Sequence, residues 1–224
     1  LLAAQRCGPG RGRLPVECVR MRMRVSLAAT SCGVALGVVA TTFLPSPAEA
    51  HLVTTGLGPL YDGISHVLLS PDDLLPILAM SMLAGLNGPA AGRRTLFGLT
   101  GAWLLSGVAG YLFGQALLPG TMTCVSFLVL GALTAADRRL SPAVVLGIAV
   151  AVGLLHGWLN GTGIAAVQRE ALGLAGIGSA IFVVVALASG FVMSLRIVWM
   201  RIAVRVAGSW VAAIGLLMLG WSLG

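Results

Sequence analysis

The stretch SPAVVLGIAVAVGLLHGWLNG, residues 141–161, decides the architecture. Ser141 is a residue type that caps helix N-termini, and Pro142 suits a first helical position, where its missing N–H would have had no partner. The run from there to Leu159 holds no Asp, Glu, Lys or Arg. It approaches the roughly 20 residues a helix needs to cross a bilayer. Gly153, Gly157 and Gly161 recur four apart, so they share one helix face and let a neighbouring backbone come close. His156 is an ionisable group at a depth where such groups are expensive, which makes it a functional candidate.

Similar runs lie on both sides of this one. The chain is 58% hydrophobic and 9% charged, against roughly a quarter charged for an ordinary soluble domain, so no water-facing surface can be assembled from it. Apolar spans are expected at Pro71–Leu86, at 96–118 before Pro119-Gly120, at Thr121–Ala136 before Asp137-Arg138-Arg139, at 171–195 and at 206–223. Pro76 sits in the early second turn of its span, where it predicts a kink. The spans of Pro71 and Thr121 are short and rely on flanking residues or local thinning of the bilayer. The expected fold is an all-α integral membrane protein, with about six transmembrane helices forming one domain over residues 71–224.

Residues 21–50 have the order of a secretory signal peptide: Arg22 and Arg24, an apolar run over 25–44, then Ala48-Glu49-Ala50. Cleavage after Ala50 makes His51 the mature N-terminus. Residues 1–20 are rich in Gly, Arg and Pro and read as an upstream segment without a fold of its own. Cys7, Cys18 and Cys32 belong to the leader, which leaves Cys124 as a small packing residue and excludes a disulfide framework in the mature chain.

All 14 basic residues are Arg and the formal charge is +7, but six of them precede residue 25. The remaining eight face Asp62, Asp72, Asp73, Asp137 and Glu170, a net charge of +3. They stand between apolar spans, as topology signals do, and form no phosphate-binding stripe, so nucleic-acid binding is excluded. Arg93, Arg94, Arg138, Arg139, Arg196, Arg201 and Arg205 fall on one predicted side and Arg169 alone on the other. By the positive-inside rule the first side is cytoplasmic, the mature termini are extracytoplasmic and the protein sits as a multi-pass chain in a bacterial inner membrane.

The densest set of chemical groups is Asp62-x3-His66-x5-Asp72-Asp73, within and just after an extracytoplasmic entry segment, residues 51–70. If Pro59–Leu69 is helical, Asp62 and His66 share a face. Ser70 and Pro71 then start the next helix and return Asp72 and Asp73 towards them. Carboxylate oxygens and imidazole nitrogens together suit a divalent transition metal. His156 falls at a similar depth, with Asn160 one turn further on the same face. The alternative is structural: Asp72 and Asp73 as charges at a helix N-terminus, and His66 and His156 as interhelical hydrogen bonders. A mature His51 would add an α-amino group and an imidazole on one residue, a pair able to chelate a metal.

The stretch GLGPLYDGISHVLLSPDDLL, residues 56–75, the leader before it and the later His156-Gly157 resemble the HupE/UreJ family of hydrogenase and urease accessory membrane proteins, whose members are regarded as nickel permeases. The resemblance covers essentially all the chain after residue 50. In the family's first motif, His-Pro-Leu-x-Gly-x-Asp-His, His66 and Asp72 match, while Val67, Ser70 and Asp73 stand at the Pro, the Gly and the second His. In the second, around His-Gly-x-Glu, His156 and Gly157 match and Leu159 takes the acidic position. The chain is thus similar to a divergent branch, with one imidazole and one carboxylate fewer.

The resemblance implies a permease whose transported substrate is a divalent metal, nickel first, with His66, Asp72, Asp73, His156 and Asp62 as candidate ligands and no permanently bound cofactor. Its partners are the metal ion and the lipid bilayer, with a homo-oligomer or a maturation protein also open to it. No Gly-x4-Gly-Lys loop is present, so uphill transport would need an ion gradient or a partner. Two other classes compete. One is a non-transporting accessory or scaffold protein of a metalloenzyme maturation system. The other is an intramembrane hydrolase built on Ser179, which would need a general base that His66 and His156 are poorly placed to supply.

Overall fold

Proline opens four of the seven helices found among the described residues, 55–114, 121–166 and 170–223, of this computed structural model. These four are α1 (Pro59–Leu69), α2 (Pro71–Leu86), α3 (Pro89–Phe113) and α5 (Pro142–Ala166); α4 (Thr121–Ala136), α6 (Leu172–Ser194) and α7 (Val198–Leu223) complete the set. Proline presets the helical φ where no N–H partner is lost. The upstream segment, the leader and its cleavage point, His51, Pro119-Gly120 and Arg169 lie outside the described residues.

α2 and α4 keep the expected bounds, whereas three helices outrun theirs. α3 begins at Pro89, so Arg93 and Arg94 ride on its first turns instead of in a loop. α7 begins at Val198 and carries Arg201 and Arg205 in the same way. Arginine is a good helix former, and nothing in either segment breaks a helix. α5 continues past Leu159, the end of its apolar run, through Asn160-Gly161-Thr162-Gly163 to Ala166. Packing overrides propensity there: a Cβ on Gly161 would stand 2.8 Å from the backbone nitrogen of Tyr111, and one on Gly153 would stand 2.7 Å from the carbonyl oxygen of Leu99. The four-residue glycine spacing thus seats α5 directly on the backbone of α3.

The sharp bend falls where Ser70 and Pro71 were expected to start a new helix. α1 and α2 meet at 70°, and the break falls at Ser70, whose φ of −94° and ψ of 106° are extended. Pro76 stays inside α2, buried. Beyond this bend α2 is the central element and touches each of the other six helices. Ile77, Ala79, Met80, Leu83 and Ala84 are fully buried along it.

Four helices, α3, α5, α6 and α7, are long and apolar enough to cross a membrane, or five spans result if the bent pair α1–α2 counts as one. α4 is apolar but has 16 residues, about 24 Å of helix against a hydrocarbon core of about 30 Å. Length therefore supports four or five of the six expected spans. The outward surface suits lipid: Leu105, Leu187, Trp210 and Leu217 are each about 70% exposed, while Ser81, Thr95, Thr134, His156 and Asn160 are buried. Such an inside-out distribution would aggregate in water.

Candidate functional site

Asp73 lies in the first turn of α2 and is buried, whereas its neighbour Asp72 is exposed. Successive helical residues point about 100° apart, so one of two adjacent carboxylates faces inward. Its surroundings come from α1 and α5. His66 Nε2 is 3.3 Å from Asp73 Oδ2, and His156 Nδ1 is 3.3 Å from Asp73 Oδ1. Asn160 Nδ2 donates to both carboxylate oxygens, at 3.1 and 3.0 Å, and to the His156 carbonyl at 3.0 Å.

These donors fix the orientation of the amide. With Nδ2 committed to acceptors, Asn160 Oδ1 accepts the hydrogen bond from His66 Nε2 at 2.9 Å. His66 Nδ1 then accepts from the Ser70 hydroxyl at 3.2 Å. This corrects the expectation that Ser70 caps α2 with its side chain: the hydroxyl reaches His66 instead, and α2 has no side-chain cap. Ser141, the other expected cap, does accept from the Val144 N–H at 3.3 Å.

His156 is held on two further sides. Its Nε2 is 3.0 Å from Ser126 Oγ, which in turn donates to the Thr123 carbonyl at 2.7 Å. Its ring stacks on the fully buried Trp103, with centroids 5.3 Å apart and planes 28° from parallel. The glycine face of α5 permits this approach, since Gly157 beside His156 packs against Trp103 and Ser106 of α3.

A cavity of about 240 Å³ opens on the cluster, lined by His66, Asp72, Asp73, Thr123, His156 and Asn160 among others. At about 30 Å³ per water it has room for a cation with part of its hydration shell. Four of the five expected site residues thus meet at one cavity, with Asp72 at its exposed rim. Asp62 does not join them. It accepts from the Thr55 N–H at 2.6 Å and the Thr55 hydroxyl at 2.7 Å, fastening the segment before α1. Asn160, noted one turn beyond His156 but not among the expected ligands, joins the site as a hydrogen-bond partner, and Ser126 joins it unpredicted, since no local pattern marks it.

Among the described residues no three His, Cys, Asp or Glu side chains converge as the ligands of one metal ion. The ring nitrogens and carboxylate oxygens face one another in pairs. Both imidazole–carboxylate contacts, at 3.3 Å, are longer than the roughly 2.7–2.9 Å of a tight charge-assisted hydrogen bond.

A family model described as HupE / UreJ protein matches residues 24–218. The chain belongs to the HupE/UreJ family. No curated protein and no solved structure matches it significantly. The HupE/UreJ match contains every residue of the cavity and all the helices but the last turn of α7. The family is linked to hydrogenase or urease accessory and nickel-transport roles and is not a catalytic one. Ser179, the nucleophile of the hydrolase alternative, donates to the Gly176 carbonyl of its own helix at 2.8 Å.

Proposed function

We propose that this HupE/UreJ chain is a permease that admits a divalent transition metal, nickel foremost, from the extracytoplasmic side for urease or hydrogenase maturation. The observation that carries the reading is the buried Asp73 carboxylate, set between two imidazoles and an amide on the wall of a cavity whose rim is exposed at Asp72. An ionised carboxylate inside an apolar bundle is costly unless it is paired, and within membrane spans such groups mark ion pathways by default.

The entering cation passes Asp72 and takes the Asp73 oxygens and the ring nitrogens in place of water. Ligand atoms about 2.0–2.2 Å from one tetrahedral ion lie about 3.3–3.6 Å from each other. The two N···O separations are 3.3 Å but go to different oxygens of Asp73, so both rings and the carboxylate have to turn towards a common point to hold the ion. Leu159 also lines this cavity. The carboxylate the family motif carries on α5 is therefore missing at its usual place, while Asp73 brings one to the same cavity from α2. Topology follows the same reading: α1–α2 as one broken span and α4 as a short one give six spans, with the leader cleaved and the arginine-rich end cytoplasmic.

One observation favours the accessory or scaffold reading, namely that the cluster's polar atoms satisfy one another without an ion. Nickel, cobalt, copper and zinc uptake in cells lacking their own importer separates the two. Wild type should raise accumulation, with nickel highest, and H66A should lose it at normal membrane abundance. Equal accumulation with and without the protein refutes transport.

A further inference from the structure

At the far end of α2 from Asp73 lies a second cavity, of about 550 Å³, lined by Asn87, Gly88, Asp137, Arg138, Arg139 and Arg201 among others. We propose that it holds a phosphate group, contributed by the headgroup of an anionic lipid. Three guanidiniums and one carboxylate line it, and that carboxylate is engaged: Arg201 Nη2 is 3.5 Å from Asp137 Oδ1. Arg138 and Arg139 are exposed and have no hydrogen-bonded or ionic partner among the described residues.

The backbone builds this arrangement. Asp137 has a left-handed φ of 47° just after α4, which turns the chain sharply so that both arginines come back over the cavity. Asn87 Oδ1 accepts the Leu140 N–H at 2.7 Å, and Asn87 Nδ2 donates to the Leu83 carbonyl at 2.8 Å, so the returning segment is tied to the end of α2. The site is thus shaped by half-buried hydrogen bonds between the Asn87 side chain and the backbone and lined by charge left unneutralised. Guanidiniums match phosphate oxygens in pairs.

The lipid source follows from what adjoins the cavity. Val198, Trp199 and Ile202, flanking Arg201 on α7, are 73%, 63% and 50% exposed, an apolar strip where acyl chains would lie below a bound headgroup. Basic pockets between helices at the cytoplasmic membrane face recognise anionic headgroups in this way. The inference is independent of metal transport.

The test uses full-length protein purified in neutral detergent, with bound lipid counted by native mass spectrometry and the unfolding midpoint measured alongside. Phosphatidylglycerol should bind and raise the midpoint, and phosphatidylcholine should do neither. R138Q/R139Q should weaken phosphatidylglycerol binding on the order of 30-fold. R93Q/R94Q, which removes the same charge outside the cavity lining, should leave it within about threefold. Equal loss in both double variants, or equal binding of the two lipids, overturns a lipid site. Inorganic phosphate that raises the midpoint of wild type but not of R138Q/R139Q, without any lipid preference, assigns the phosphate to a soluble source and overturns the headgroup.

Discussion

The two ends of α2 handle charge in opposite ways. Around Asp73 the two imidazoles, the carboxylate and the Asn160 amide all have partners, down to the orientation of that amide, and the cavity is about 240 Å³. At the other end a cavity more than twice as large, about 550 Å³, is lined by arginines of which two have no partner among the described residues. Burial accounts for the difference. A charge removed from water must be neutralised within a few ångströms or it is not kept, whereas an exposed guanidinium is stabilised by solvent and can wait for a ligand. A polar group's environment thus indicates whether it holds the fold, binds something or does both.

Asp73→Ala should break the contrast most severely. It strips His66, His156 and Asn160 of their common partner, a change of the kind that costs about 3–5 kcal/mol, and both metal uptake and the unfolding midpoint should collapse. Asp73→Asn, which keeps most of the shape, separates the roles: uptake should fall at least tenfold while the protein still reaches the membrane. Wild-type uptake by this variant would show that the carboxylate is no ligand. Asp73→His restores the family's second imidazole, and an altered preference among nickel, cobalt and zinc is the expected reading.

Asn160→Ala should come next. It removes the hydrogen bond from His66 Nε2 and the amide donor shared by the two Asp73 oxygens, leaving each with only its 3.3 Å imidazole–carboxylate contact, a loss of about 1–3 kcal/mol, seen as a lower midpoint in thermal unfolding. Uptake should drop less than in Asp73→Asn. An unchanged midpoint would mean that water replaces the amide at no cost, so the cluster is wetter than its burial implies.

At the rim, Asp72→Ala should change stability by less than about 0.5 kcal/mol, as exposed substitutions do, yet slow uptake at low metal concentration. Uptake curves against metal concentration should show a higher half-saturation point with little change in the maximum. A fall in the maximum alone would move Asp72 from the rim to the interior of the site.

The smallest effect belongs to the arginine end. Arg201 and Asp137 pair at 3.5 Å with side chains 41% and 29% exposed, so Arg201→Gln should cost between about 0 and 1 kcal/mol. The unfolding midpoint in low and high salt checks this. A loss as large as that of Asn160→Ala would show that this end is as tightly coupled as the other.

Much of the fold was legible in the sequence. Proline starts and apolar runs located α2 and α4 to the residue, because these helices end where their neighbours forbid a helix. The ends of α3, α5 and α7 were misplaced for one shared reason. Each was bounded by its uninterrupted apolar run, and a helix continues past that run wherever arginine or a glycine seated on another helix's backbone can be accommodated. His66, Asp72, Asp73 and His156 stood out as costly polar residues in apolar surroundings, and all four line one cavity. Asp62 stood out equally and fastens the segment before α1 instead. Sequence spacing alone did not tell these cases apart.

Composition by itself determined the helical, lipid-compatible class, since the transfer of a side chain from water is a property of that side chain wherever it sits. The register of the α5 glycines determined which face would pack. Only the tertiary structure decided that Asp73 turns inward and Asp72 outward, that the Ser70 hydroxyl serves His66 in place of its own helix, and that Asn160 closes the cluster. His66 and Asn160 are 94 residues apart, and Asp73 and Asn160 are 87 apart. Contacts at such separations depend on the packing of whole helices, in which a rotation of about 100°, the step between adjacent residues, would exchange one carboxylate for the other.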